Sequence, residues 1–191
     1  MATVEIKRKI AEKTDRIMWF SMWFLTAVAT FGLAFFPMFY LLVERRNRHF
    51  SRQRELESLL IAYFKLEDKI LQEEEVPARR NSLLWAASIV FVFPAFIIAY
   101  LLSKDITVHD RRQRLFFQKL GVTENAGFSS SINIRKCLLI TVLTLGLGII
   151  YWLNKIFNSY NSHFKEQWMV EDKLIKLIEQ GEKINDHAGN T

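Results

Sequence analysis

Residues 144–171 read TLGLGIIYWLNKIFNSYNSHFKEQWMVE, an apolar run that gives way after Asn154 to a polar segment. The same arrangement occurs 114 positions earlier, in TFGLAFFPMFYLLVERRNRHFSRQRELE at residues 30–57. Over residues 28–61 the two copies agree at 11 of 34 ungapped positions, which indicates an internal duplication. In the first copy the shared residues are Val28, Thr30, Gly32, Leu33, Asn47, His49, Phe50, Gln53, Glu57, Leu60 and Ile61.

A shift of 60 positions adds a middle copy, which is the more divergent one. It keeps a His and a Gln four residues apart, as His109 and Gln113, but it lacks the Thr-x-Gly-Leu stretch and the Asn two residues before the His. The repeating unit is therefore an apolar span followed by a polar helix with the pattern H-x-x-x-Q.

Three blocks contain no charged residue, at 17–43, 83–103 and 137–154. They have 27, 21 and 18 residues, close to or above the ~20 residues that a helix needs to cross a bilayer. A soluble bundle of three buried helices would need a polar face on each helix, and none of the blocks has one. The sequence therefore predicts an all-α, polytopic membrane protein, a single membrane domain over residues 1–191. Each of its three transmembrane helices is followed by an amphipathic interfacial helix, at about 51–76, 108–120 and 164–182. The first of these has an apolar stripe with a spacing of three and four residues, which predicts a helix that lies on the membrane or against its neighbour, or else a coiled coil with a partner. The residues of this stripe are Leu56, Leu59, Tyr63, Leu66 and Ile70.

The basic residues give no clear orientation. Lys and Arg number 12 on one side of three plain crossings and 14 on the other, out of 26. Orientation set by a partner, dual topology, or blocks that dip into the membrane and return would each explain this. Plain crossings are favoured because 18 and 21 residues are short for a hairpin, with residues 44–82 and the tail on the cytoplasmic side of the cell membrane.

The net charge of +6 indicates contact with anionic lipid headgroups, since the basic residues flank the spans and no nucleic-acid-binding motif is present. The lipid bilayer is thus the expected partner, and nucleic acid is not. The arginines expected at the headgroups are Arg45, Arg46, Arg48, Arg52, Arg54, Arg111, Arg112 and Arg114.

His and Gln four residues apart lie on one face of a helix. They are either hydrogen-bonding residues at the interface or, if His49, His109 and His163 converge, metal ligands. Three plain crossings put the middle copy on the opposite side from the other two, which excludes a three-His site. With no H-E-x-x-H pattern and a single cysteine, Cys137, we expect no metal, no cofactor and no enzymatic activity.

No ionisable side chain lies within the blocks, which argues against a pump or an ion-coupled carrier. Small and hydroxyl residues there are typical of close helix packing. The sequence thus predicts a non-enzymatic accessory or structural subunit that packs against other membrane-protein subunits or against copies of itself. The expected helix-packing residues are Thr30, Gly32, Thr144, Gly146 and Gly148.

Residues 144–156, TLGLGIIYWLNKI, resemble a stretch found in uncharacterised small prokaryotic integral membrane proteins, in which a TLG-like run leads into an aromatic pair and a basic residue. That resemblance implies a membrane protein and no particular activity. The layout over residues 17–158 resembles the three-span archaeal members of the Oxa1-type insertase superfamily, which implies a hydrophilic groove for an entering span. An insertase of this type, or a small channel or carrier built from repeats, is the alternative function.

Overall fold

In the computed structural model, the described residues form six α-helices and one short 3-10 helix, arranged as three hairpins. The structure describes residues 11, 14–65, 77–121 and 132–188, with the side chains of the last helix through residue 180. In each hairpin a short helix precedes a long one, and within the described ranges all regular structure is helical. The elements are α1 (Phe20–Ala29), α2 (Phe35–Phe64), α3 (Ser82–Ser88), a 3-10 helix (Ile89–Phe91), α4 (Phe93–Lys119), α5 (Ile134–Leu143) and α6 (Gly148–Ala188).

Each apolar block turns back on itself, so the prediction of one continuous helix per block is wrong. In the first block Phe31 and Gly32 have φ values of 50° and 92°, in the left-handed region that stops a right-handed helix. Thr30 Oγ1 accepts a hydrogen bond of 3.0 Å from the Ala34 N–H and so caps the returning helix.

The other two hairpins turn at the equivalent position. Thr144 Oγ1 accepts a 2.7 Å hydrogen bond from the Gly148 N–H, and Leu145 and Gly146 have φ values of 50° and 98°. In the middle copy Val92, 60 positions after Gly32, has φ of 60°. Within residues 14–65, 77–121 and 132–188, no helix combines the length and apolar character needed to cross a bilayer.

The polar segments are not separate interfacial helices, because each continues the returning helix of its hairpin without a break. The segments expected at 51–76, 108–120 and 164–182 belong to α2, α4 and α6, which begin inside the apolar blocks at residues 35, 93 and 148. Residues 66–76 of the first segment lie outside the described residues.

Helices α2, α4 and α6 form a parallel three-helix bundle around a pseudo-threefold axis. Positions related by the repeat are buried together in successive layers, and neighbouring layers are three or four residues apart, as in coiled coils. Since equivalent residues share a layer, the helices run parallel and all three turns lie at one end. The apolar layers are Met38, Ile98 and Trp152; Leu42, Leu102 and Ile156; and Leu56, Phe116 and Val170.

The buried seam of α2 differs from the apolar stripe that the spacing of Leu56, Leu59 and Tyr63 indicates. Leu56 is buried, but Leu59 is only partly buried and Tyr63 is exposed, and the seam continues through Leu60 instead. The two remaining residues of that stripe, 66 and 70, lie outside the described residues. Polar residues occupy part of the real seam, so an apolar pattern alone gives the wrong register.

Two asparagines join neighbouring repeats. The Asn47 side chain donates to the Arg80 carbonyl and accepts from the Arg80 N–H, at 2.7 and 3.1 Å. Asn161, its equivalent in the third copy, makes the same pair of bonds with Met18, at 2.7 and 3.2 Å. Each asparagine thus fixes the chain where it enters another hairpin, and Thr107 stands at this position in the middle copy.

Candidate functional site

The three repeat histidines meet on the bundle axis. The ring centroids of His49, His109 and His163 are 4.9 to 5.3 Å apart, and each residue is buried. One ring nitrogen from each lies within 4.8 Å of the others. The expectation that topology keeps these histidines apart is wrong, because the hairpins return every polar segment to the same end of the molecule.

Carboxylates hold two of the rings from outside the cluster. Asp15 Oδ1 lies 2.9 Å from His49 Nδ1, and Asp110 Oδ1 lies 2.6 Å from His163 Nδ1. The Nε2 atoms of His49 and His163 face each other at 3.0 Å. Among the residues that the structure describes, none hydrogen-bonds to His109 Nε2, which is buried. The cluster therefore directs ring nitrogens inward and fixes two rings by their outer nitrogens.

Burial favours the neutral form of the His49 and His109 imidazoles. It lowers the pKa of His49 to about 4, although the neighbouring Asp15 carboxylate acts in the opposite direction. Burial, together with the two other histidines, also lowers the pKa of His109 well below its usual value. A neutral imidazole is the form that binds a metal ion.

A layer of three glutamines follows one helical turn after the histidines. Gln53, Gln113 and Gln167 are all buried. Gln167 Nε2 donates to Gln53 Oε1 and, at 2.6 Å, to Glu171 Oε1. Within the described part of the chain, both amide atoms of Gln113 lack a hydrogen-bond partner. The bundle axis is therefore polar over two consecutive layers.

Buried ion pairs surround this polar centre. Arg52 contacts Glu171 at 2.8 Å and Asp15 at 2.9 Å, while Arg112 contacts Glu57 at 2.9 Å. Burial raises the pKa of both glutamates, and the paired arginines oppose that shift. The Arg52–Glu171 and Arg112–Glu57 pairs each join two different repeats, so these two pairs link the long helices of the bundle.

Half of the arginines expected at lipid headgroups are buried instead, namely Arg45, Arg46, Arg52 and Arg112. Arg45 lies over the rings of three aromatic residues of α6 at 5.1 to 5.8 Å, and Arg46 pairs with Asp105 at 3.0 Å. Sequence cannot separate these from surface arginines, because both kinds alternate along one helix. The other four, Arg48, Arg54, Arg111 and Arg114, are exposed.

The small and hydroxyl residues expected to pack helices act mostly in the turns. Thr30 and Thr144 cap the returning helices, and Gly32 and Gly146 have the positive φ values that the turns need. Gly148 does allow close packing, within its own hairpin. A Cβ there would lie 2.6 Å from the Thr141 Cα.

The turn end of the bundle exposes large apolar side chains. Phe31 is 99% exposed and Leu145 is 96% exposed, and Phe91 marks the middle hairpin at 78%. The neighbouring exposed residues are Met22, Leu25, Val28, Leu33, Val90, Val92, Phe93, Leu139, Val142, Leu143 and Leu147. Such a large apolar patch in a folded chain marks an interaction surface.

Sequence reasoning missed the two carboxylates of the histidine cluster. Asp110 directly follows His109, a signal that was available, but it contacts His163 of another repeat. Asp15 precedes His49 by 34 residues with no pattern that connects them. Only the return of all three hairpins to one end brings these side chains together.

Comparison with known proteins gives no relative. No family model matches the sequence, and neither the curated proteins nor the solved structures contain a match.

Proposed function

We propose that this chain is a non-enzymatic integral membrane protein whose three hairpins enter one leaflet of a bilayer from one side, leaving the polar bundle in water. The observation that carries this proposal is the apolar end, where the tips of all three hairpins expose large aliphatic and aromatic side chains. Water disfavours such a surface, and the hydrocarbon interior of a bilayer accepts it.

The depth of the apolar layer fits one leaflet. The apolar part of α2 extends from Phe35 to Glu44, its first charged residue, and that of α4 extends from Phe93 to Lys104. At 1.5 Å per residue these stretches are about 14 and 17 Å long, roughly half of a ~30 Å hydrocarbon core. The hairpins therefore have the length to reach the bilayer centre and return.

The rim of this layer has the side chains expected at a headgroup boundary. Trp19, Tyr40 and Tyr100 are exposed near the level where charge begins. Lys165 lies 5.9 Å from the Trp19 ring and Lys155 lies 5.7 Å from the Tyr151 ring. Aromatic rings beside cationic side chains are typical of membrane interfaces.

The proposed role is that of an accessory or structural subunit of a membrane complex. An apolar groove of about 540 Å³ opens between α4 and α5, within the apolar layer, and in this proposal it receives a span of another subunit. Its lining includes Phe93, Phe96, Tyr100, Leu138 and Val142. Co-purification with a stoichiometric partner supports this role, and a lone monomer in mild detergent argues against it. The insertase and channel hypotheses both need spans that cross the bilayer, and the hairpins give them no support.

Cysteine accessibility tests the membrane arrangement. In a Cys137→Ala background, single cysteines replace Ser51, Thr107 and Ser162, one in the polar half of each long helix. In sealed vesicles, a membrane-impermeant maleimide should label all three from the same side. Thr107→Cys distinguishes the two arrangements. If it is labelled only from the side opposite to Ser51→Cys and Ser162→Cys, the chain crosses the bilayer three times and the proposal is wrong.

Cysteines at the tips provide the matched control. Phe31→Cys and Leu145→Cys should stay unlabelled from both sides until detergent dissolves the bilayer. Labelling of these tips by the impermeant reagent in intact vesicles would show that they lie in water and would contradict the proposal.

A further inference from the structure

The histidine cluster has the composition of a transition-metal site. Three imidazole ligands favour borderline ions such as Zn²⁺ or Co²⁺ over Mg²⁺ and Ca²⁺, which prefer oxygen ligands. His49, His109 and His163 come from three different helices, so one ion bound to all of them would connect the three repeats.

The geometry needs only a small adjustment to hold such an ion. Zinc bonds to imidazole nitrogen at about 2.0–2.1 Å in a tetrahedral site, which places ligand nitrogens roughly 3.3 Å apart. The Nε2 atoms of His49 and His163 are already 3.0 Å apart. All three ligand nitrogens lie within 4.8 Å, so His109 must close by roughly 1.5 Å at most.

The surroundings of the cluster match those of known metal-binding histidines. In metal sites the outer ring nitrogen usually donates to a carboxylate, which fixes the tautomer and strengthens the ligand. Asp15 makes this hydrogen bond with His49 Nδ1, and the Asp110 carboxylate lies 2.6 Å from His163 Nδ1, on the corresponding side of that ring. The two carboxylates also supply negative charge next to a buried divalent ion.

A polar atom with no partner points to a ligand. Burying an imidazole nitrogen without a hydrogen bond is unfavourable, and His109 Nε2 has none from the described residues. The two side-chain amide atoms of Gln113, one turn after His109, are also buried without a hydrogen-bond partner among the described residues. They are available to a water molecule that occupies a fourth coordination position of the ion. Leucine or isoleucine in these seam positions would pack without such a cost.

We propose that His49, His109 and His163 bind one Zn²⁺ ion per chain, as a structural site that ties the three repeats together. Three protein ligands leave one coordination position open, as in catalytic zinc sites. All three histidines are buried, however, so a substrate has no access to the ion, and we assign it a structural role. This proposal does not depend on the membrane arrangement, because the cluster lies on the bundle axis outside the apolar layer.

Metal binding by the full chain in detergent micelles tests the site, with the protein purified without a polyhistidine tag. The probes are Zn²⁺, measured by elemental analysis after dialysis, and Co²⁺, whose tetrahedral complexes absorb visible light. The expected result is one ion per chain, with binding abolished in His109→Asn and His163→Asn. Asp110→Asn should weaken binding about 10- to 100-fold.

His187→Asn is the matched control, because it removes the only histidine outside the cluster and should leave the metal content unchanged. Circular dichroism and gel filtration check that each variant stays folded. Stoichiometric binding that survives in folded His109→Asn, or no binding by the unmodified chain, would overturn the proposal.

X-ray absorption at the zinc edge of the unmodified chain gives an answer even if the variants fail to fold. The expected first shell contains three imidazole nitrogens. A shell of oxygen or sulfur without the imidazole signature would contradict the assignment.

Discussion

At the scale of single residues, the buried pair of Arg112 and Glu57 links two repeats and is closed to water. The side chains are 9% and 3% exposed, and their charged atoms lie 2.9 Å apart. Arg112→Met should lower the free energy of unfolding by about 3–5 kcal/mol, because it leaves a carboxylate buried without its partner. Chemical denaturation in detergent micelles measures this loss.

The double variant Arg112→Met with Glu57→Leu serves as the control. It removes both charges and should recover most of the stability lost in the single variant. Equal losses in the single and double variants would contradict the explanation that the loss comes from the unpaired Glu57 carboxylate.

The histidine cluster predicts a pH dependence of stability. The unfolded chain takes up protons near pH 6.5, whereas burial lowers the pKa of His49 to about 4 and that of His109 well below 6.5. In metal-free buffer the free energy of unfolding should therefore fall as the pH drops from 6.5 to 5. The fall should reach about 1.4 kcal/mol per pH unit for each of His49 and His109.

Other buried groups affect the same measurement, so a variant must isolate the histidines. Asp15, Arg52 and His163 face His49, and the raised pKa values of Glu57 and Glu171 act in the opposite direction. Comparison with His109→Asn removes these shared contributions, because the variant should lose stability less steeply with falling pH. Parallel curves for the two proteins would show that His109 does not titrate as described.

At the scale of elements, the third hairpin closes through one close contact. A Cβ on Gly148 would lie 2.6 to 2.8 Å from backbone atoms of Thr141 and Ile140. Gly148→Ala should therefore lower the free energy of unfolding by about 1–3 kcal/mol, because α5 and α6 must separate. Thermal unfolding in micelles measures the difference.

The equivalent position in the first hairpin offers a reciprocal control. Ala34 occupies it, so the first hairpin already accommodates a Cβ there, and Ala34→Gly should cost at most about 1 kcal/mol. If the two substitutions were equally harmful, the close contact at Gly148 would not be the cause.

The sequence predicts the helical class, the repeat and the identity of the three histidines, but not the turns within the apolar blocks. A uniformly apolar run has no change of period at which to place a turn. Thr30 and Gly32 also match two interpretations, a packing surface and a capped turn. The Thr-x-Gly pattern that recurs in two blocks was the available signal for the turn. Because it was interpreted as a packing surface, each block was predicted to cross the bilayer, and His109 was therefore predicted to lie on the opposite side from His49 and His163.

At the scale of the whole molecule, membrane attachment should depend on the hairpin tips. Phe31→Asp, Phe91→Asp and Leu145→Asp together should release much of the protein from liposomes. Each change removes an apolar side chain worth about 1.5–3 kcal/mol of burial and adds a charge that lipid disfavours. Flotation with liposomes measures the bound fraction.

A charge-matched variant separates this effect from net charge. Ser58→Asp, Thr107→Asp and Ser162→Asp add the same three charges at exposed positions of the polar bundle and should leave the bound fraction near that of the unmodified chain. Equal binding by the tip variant and this control would contradict insertion of the tips.

The ion pairs between repeats are unequal. Arg52 of the first copy pairs with Glu171 of the third, and Arg112 of the second pairs with Glu57 of the first. At the remaining junction the equivalent positions hold Glu166 and Phe117. If α2, α4 and α6 followed one another around the bundle axis in the opposite direction, Arg52 would lie beside Phe117 and Glu166 beside Glu57. A homotrimer of one repeat unit would have three identical junctions between its helices. In this chain the junctions differ, and only the observed arrangement forms both the Arg52–Glu171 and the Arg112–Glu57 pair. If the three units were expressed as separate chains, they should assemble as a heterotrimer with one handed order.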